Sequence, residues 1–124
     1  MSNVLFFKNY TAAVAIPAYR IVKFSALDTV TLATAATDSL IGVNADIAPA
    51  IGERCDVGRQ GIVFIEAGAA IAQGAPVTSD ATGRAVTAAP GAGVNNRIVG
   101  FADEAATAAG DVIRVLMELG VMQG

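Results

Sequence analysis

A spaced motif occurs twice in the chain. Ile41-Gly42-Val43, then Asp46, Ala48, Ala50, Gly52-Glu53 and Val57, returns as Val99-Gly100-Phe101, Glu104, Ala106, Ala108, Gly110-Asp111 and Val115, at a constant offset of 58 residues. Upstream, Ile16 to Val22 matches Ile71 to Val77 more loosely, and each stretch precedes a turn and a Val-Thr pair, Val30-Thr31 and Val86-Thr87. A repeat of this length means two copies of one supersecondary unit, each with one apolar face. In a chain of 124 residues, the length of one domain, the two copies must share a fold. The repeat therefore predicts two half-barrels facing each other across one core.

Each unit reads as strands. Ile113, Val115, Met117 and Leu119 share one parity while Arg114 and Glu118 hold the other, with Leu116 breaking the polar face. Val30 and Leu32 alternate with Thr29 and Thr31, Cys55 and Val57 alternate with Arg54 and Asp56, and Ile62 to Ile65 is a β-branched and aromatic run. Turn chemistry separates these runs at Ile51-Gly52-Glu53, Gly58 to Gly61, Gln73-Gly74-Ala75-Pro76, Asp80 to Gly83 and Pro90 to Gly93. Many short strands with frequent glycine turns indicate an all-β sandwich or barrel. Only Ala102 to Ala109 has helix propensity, and eight residues before Gly110 predict a single helical turn or a loop.

Composition narrows the chemistry. Hydrophobic residues make up 54% and charged ones 15%, which is the balance of a folded chain. The mean hydropathy of +0.57 comes from Ala and Val. Stretches such as Ala67 to Ser79 carry Gly, Gln and Pro and fall short of the roughly 18 apolar residues of a span. With no Trp and 6% aromatics the core is thin, so assembly into an oligomer is a natural supplement.

No His and a single Cys remove the common general base, the common zinc ligand and any intramolecular disulfide. No cofactor, no metal and no enzymatic activity are expected. Cys55 alternates with charged neighbours and is expected in the core. Asp80 with Thr78, Ser79 and Thr82 offers one carboxylate, too few for a hard cation, and reads as a turn. Asp103 and Glu104 are adjacent, which on an extended segment points them to opposite faces. Gly91-Ala92-Gly93 lacks the third glycine and the helix of a dinucleotide loop. The first residues carry no basic stretch before an apolar run, so a non-secreted protein of a reducing compartment is expected. A net charge of −3 argues against a nucleic-acid partner.

Two features point to a partner. Val4, Leu5, Phe6, Phe7 and Tyr10 hold three of the seven aromatic residues (five Phe, two Tyr) and precede the repeat. They read as a first strand or as an arm docking on a partner. Lys8, Arg20 and Lys23 are the only charges before Asp28, and this basic third could steer docking onto an acidic surface.

Ile41-Gly42-Val43, Gly52-Glu53 through Val57 and Gly61, Gln73-Gly74-Ala75-Pro76-Val77 with Asp80 and Gly83, Ile98 to Ala102 and Ala109 to Val112 together resemble the small capsid decoration, or cement, proteins of tailed bacteriophages. The similarity spans about residues 11 to 119. It implies a single β-barrel-like or β-tulip domain of two similar halves over residues 11–119, with an N-terminal arm or first strand at 1–10 and a C-terminal tail at 120–124. It implies a partner, the major capsid protein, and a homotrimer on the outer capsid surface of the virion after assembly from the host cytoplasm, with no membrane partner. It carries no catalytic residues. Where such proteins often have Gly-Asp before the early Val strand, this chain has Ala18-Tyr19-Arg20-Ile21-Val22, so Tyr19 and Arg20 join the N-terminal run as candidate interface residues. A small-ligand or glycan-binding β-barrel module is the alternative from another class.

Overall fold

A computed structural model describes residues 3–124 and consists of strands and connecting loops. The strands are β1 (Asn3–Ala12), β2 (Ile21–Ala26), β3 (Thr29–Leu32), β4 (Leu40–Asn44), β5 (Arg54–Glu66), β6 (Pro76–Ser79), β7 (Ala85–Thr87), β8 (Asn95–Ala102) and β9 (Val112–Gln123). They form one sheet in the order β1-β3-β2-β4-β5-β9-β8-β6-β7, and an additional β1–β5 pairing closes the first five strands into a barrel. Closure removes the open edges that a flat sheet would expose.

The repeat is present as structure, and it reaches further than the sequence motif. Val43↔Gly58 and Asn44↔Val57 join β4 to β5, and Phe101↔Leu116 and Ala102↔Val115 join β8 to β9. Each residue of the second set is its counterpart plus 58. Val22↔Leu32, Lys23↔Thr31 and Phe24↔Val30 become Val77↔Thr87, Thr78↔Val86 and Ser79↔Ala85 on adding 55. The Val-Thr pairs noted in the sequence are thus out of step by one residue: Thr31 corresponds to Val86.

The first strand of the second unit is the second half of β5. Tyr10↔Cys55 corresponds to Ile65↔Ile113 and Asn9↔Asp56 to Phe64↔Arg114, adding 55 to the first residue and 58 to the second. The parallel pair Ala12↔Val30 corresponds to the bridge Ala67↔Ala85 on adding 55 to both residues. One continuous strand therefore ends the first barrel and begins the second ring, β5-β9-β8-β6-β7. The expected half-barrels facing each other are instead two rings fused along a shared strand, because β1 supplies the closure of the first.

Two cores follow. Tyr10, Ala12, Ile16, Val22, Val30, Ile41, Cys55 and Val57 fill the first barrel. Ile21, Leu40 and Val43 of the first unit pack with Val63, Ile65, Val77, Val99, Ile113 and Val115 in the second core, which ties the units together. Ala102 to Ala109 is the end of β8 and a loop, held by Ala106 against Ile71. Residues 120–123, expected as a tail, continue β9 and pair with β8.

Candidate docking surface

The residues singled out near the N-terminus separate by where their strand lies. Past the barrel wall, β1 turns Leu5, Phe6 and Phe7 to solvent, at 80%, 48% and 46% exposure, and Val4 packs on the second core. Tyr10 belongs inside. It is 2% exposed, its ring meets Phe24 edge-on at 5.8 Å, and the Arg59 guanidinium donates to its hydroxyl at 2.6 Å. Tyr10 is thus a core residue of the first barrel and offers no surface to a partner.

Tyr19 comes to the same place as β1 from a different element. Its φ is 62°, and its counterpart in the second unit is Gly74, with φ 85° (19 plus 55). An L residue in this region is strained by about 1–2 kcal/mol, and strain of that kind collects at functional positions. The ring stands edge-on to Phe64 at 6.4 Å. Val4, Phe7, Tyr19, Val43, Asp46 and Phe64 together line a cleft of about 240 Å³ beside the second core, which Val43 belongs to and Val4 packs against. Two separate sequence features, the N-terminal run and the turn at Tyr19, therefore form one surface.

The basic third is neutralised within the chain. Lys8 pairs with Asp28 at 3.0 Å, Arg20 with Glu66 at 3.3 Å and Lys23 with Asp38 at 2.9 Å. Arg20 also donates to the Thr82 carbonyl at 2.9 Å, and Glu66 takes Arg84 at 3.4 Å, so Arg20 is a strut between the units. Its side chain is only 16% exposed.

The remaining candidates are structural. Asp80 accepts from the Thr82 and Arg84 amides at 2.9 Å each and holds the β6–β7 turn. Asp103 and Glu104 do not diverge: both reach Arg114, at 3.8 and 3.6 Å. Cys55 is buried and donates to Asn44 Oδ1 at 3.2 Å, and burial, with the Asp56 charge adding to it, pushes its thiol up to about 11. At neutral pH it is a thiol and no nucleophile. No cluster of three His, Cys, Asp or Glu side chains able to hold a metal occurs among the described residues.

A family model described as phage cement protein matches residues 7–117. The chain belongs to this family. Membership supports a role associated with the phage capsid and a structural protein of the virion. The crystal structure of the N base of head fiber gp8.5 in bacteriophage phi29 is similar in fold, with a TM-score of 0.71 at 19% identity over 96% of this chain and 98% of that one. No curated protein matches the sequence. The surface just described exposes Leu5, Phe6 and Phe7 to water beside the cleft, while Lys8, Arg20 and Lys23 are engaged in pairs within the chain.

Proposed function

We propose that this protein decorates the outer surface of an assembled phage head, binding between major capsid protein subunits and stabilising the shell, with the β1 rim and the Tyr19 cleft as its docking surface. The observation that carries the reading is the exposure of Leu5, Phe6 and Phe7 in one run beside that cleft. A large apolar patch on a small protein marks an interaction site, and aromatic anchors dominate the energetics of such sites. Binding across two capsid subunits raises the free energy of their separation by mass action, and many copies on a lattice multiply the effect. Trimers at three-fold positions are the arrangement the family resemblance implies.

The ligand-binding alternative has less support. The cleft is smaller than the ~300–1,000 Å³ typical of small-molecule sites. The Asn44 side chain beside it is turned inward, donating to the Pro17 carbonyl at 3.0 Å.

Cosedimentation with heads lacking the protein tests the proposal. The Phe6→Ser/Phe7→Ser variant is expected to bind on the order of 10–100-fold more weakly, about 1.4 kcal/mol for each tenfold, and to leave heads as heat-sensitive as undecorated ones. Wild-type affinity in that variant, or decorated heads that disassemble at the undecorated temperature, overturns it.

A further inference from the structure

We infer that copies of this protein join head to tail, the free edge of β9 pairing antiparallel with the free edge of β1 in a second copy. The first observation is the repeat itself. In both units the first strand pairs antiparallel with the last: β1 with β5 from Thr11↔Arg54 to Asn3↔Ile62, and β5 with β9 from Glu66↔Val112 to Ile62↔Leu116. The second pairing stops early. Beyond Leu116 the counterpart of the missing partner would be residues 58–61, but Gly58 is already held by Val43 of β4. From Met117 onward β9 pairs with β8 alone among the described residues, and the edge away from β8 is unfilled. The strand type that the repeat places on such an edge is a first strand, and β1 is one.

β1 has a free edge of its own. One side runs along β5 from Asn3 to Thr11, and the other meets β3 only at Thr11 and Ala12. The Thr11 amide points to that outer side, donating to Asp28 at 2.9 Å. By the two-residue alternation of an antiparallel strand, Asn9 and Phe7 also present their amides and carbonyls outward. Just past β9 the Gly124 amide donates to the Val94 carbonyl just before β8, and the amide of Arg97, which opposes Val121, turns away to Ala36, which leaves Leu119, Val121 and Gln123 outward. A long apolar edge of this kind needs a cover or a partner.

The two edges match in one register. Phe7 opposite Leu119 sets outward-facing backbone groups against each other. It also puts Lys8 opposite Glu118 and Asn9 opposite Met117, over the regular part of β1 before its register on β5 shifts between Phe7, Phe6 and Val4. Glu118 is exposed and has no ion-pair partner among the described residues, and Lys8, whose ammonium stands over the Tyr10 ring at 4.4 Å, has the exposed Asp28 as its ion-pair partner. The two edges lie on different strands, so the contact is heterologous and forms a ring where the rotation between copies closes, as it does for three copies about a three-fold position. It uses the backbone edge of β1 and leaves the ring faces of Phe6 and Phe7 to the shell. The inference deepens the self-association in the proposed function and rests on that reading for its ring of three alone.

A Lys8→Cys/Glu118→Cys variant oxidised at high protein concentration, and again on heads, is the test, since Cys55 is buried and out of reach. Disulfide-linked dimers and closed trimers are expected from the double variant, and none from either single one. Should Glu118→Cys cross-link by itself, the pairing is two-fold and the inference is wrong. A double variant that melts cooperatively yet stays uncross-linked overturns it equally. As a check free of cysteine, Glu118→Lys is expected to weaken self-association about threefold, and adding Lys8→Glu to restore it; no restoration counts against the register. Cross-linking that persists while head binding is lost would sink the docking reading and leave this one standing.

Discussion

Gly42 and Gly100 occupy equivalent places where β4 and β8 cross their neighbouring strands. A Cβ on Gly42 would collide with the Gly58 carbonyl, and one on Gly100 with the Leu116 carbonyl, again 58 residues on in each case. Backbone atoms cannot swing aside, so Gly100→Ala is expected to cost about 1–3 kcal/mol, read as a lower urea midpoint at unchanged slope. This steric need is why the motif survives in both halves and was visible in the sequence. Tyr19 is the opposite case. Replacing it by Gly relieves about 1–2 kcal/mol of left-handed strain. It also frees the unfolded chain by about 0.5–1 kcal/mol and forfeits the edge contact with Phe64, about 0.5–1.5 kcal/mol. These offset one another, so Tyr19→Gly is expected to leave stability within about 1 kcal/mol of wild type while weakening head binding. A large loss of stability would make Tyr19 a structural residue.

At the scale of the element, β5 explains both what the sequence disclosed and what it hid. Its first half carries Cys55 and Val57, whose counterparts Ile113 and Val115 keep the same parity, so the last strands of the two units were legible. Its second half corresponds to β1, yet the counterparts of Tyr10, Lys8 and Phe7 are Ile65, Val63 and Ile62, which share no residue type with them. Only pairing register reveals the match. The double use of one strand therefore went unread, and β1 seemed to stand outside the repeat. The candidate docking surface was half legible: apolar composition marked Val4 to Phe7, but alternation could not tell where the barrel wall begins, and Tyr10 lies inside it. Truncation separates the two parts of β1. Removing residues 1–6 deletes exposed Leu5 and Phe6 together with Val4 on the second core, and is expected to leave one cooperative melt lowered by about 1–2 kcal/mol, with head binding reduced. Removing residues 1–12 opens the first barrel and strips Tyr10 and Ala12 from its core, and the cooperative melt is expected to vanish. Survival of that melt would mean the barrel closes without β1.

The whole molecule is one cooperative body because its rings share β5 and the second core takes side chains from both units, and its charges are arranged so that pH acts on both units at once. Burial alone would raise Asp38, but the Thr34 amide and hydroxyl and the Lys23 ammonium outweigh it. Burial likewise opposes, and the Thr82 and Arg84 amides with the Arg84 charge overcome, a rise at Asp80. Asp111 is lowered by the Thr107 hydroxyl and the Thr107 and Ala108 amides. All three carboxyls therefore hold their protons less tightly folded than unfolded. They contribute stability above the ordinary value of 3.8 and lose it as pH falls through their folded values. Cys55 acts in the other direction: raised from 9.0 to about 11, it favours the folded state below 9.0 and withdraws that contribution as pH climbs to 11. Melting temperature against pH is thus expected to be flat between these limits, to fall below 3.8 as a single transition, and to fall again between 9 and 11. Cys55→Ser removes the titrating thiol while keeping a donor to Asn44, and the part of the alkaline fall due to the thiol goes with it. An unchanged alkaline limb in that variant would show that another group opens the first barrel.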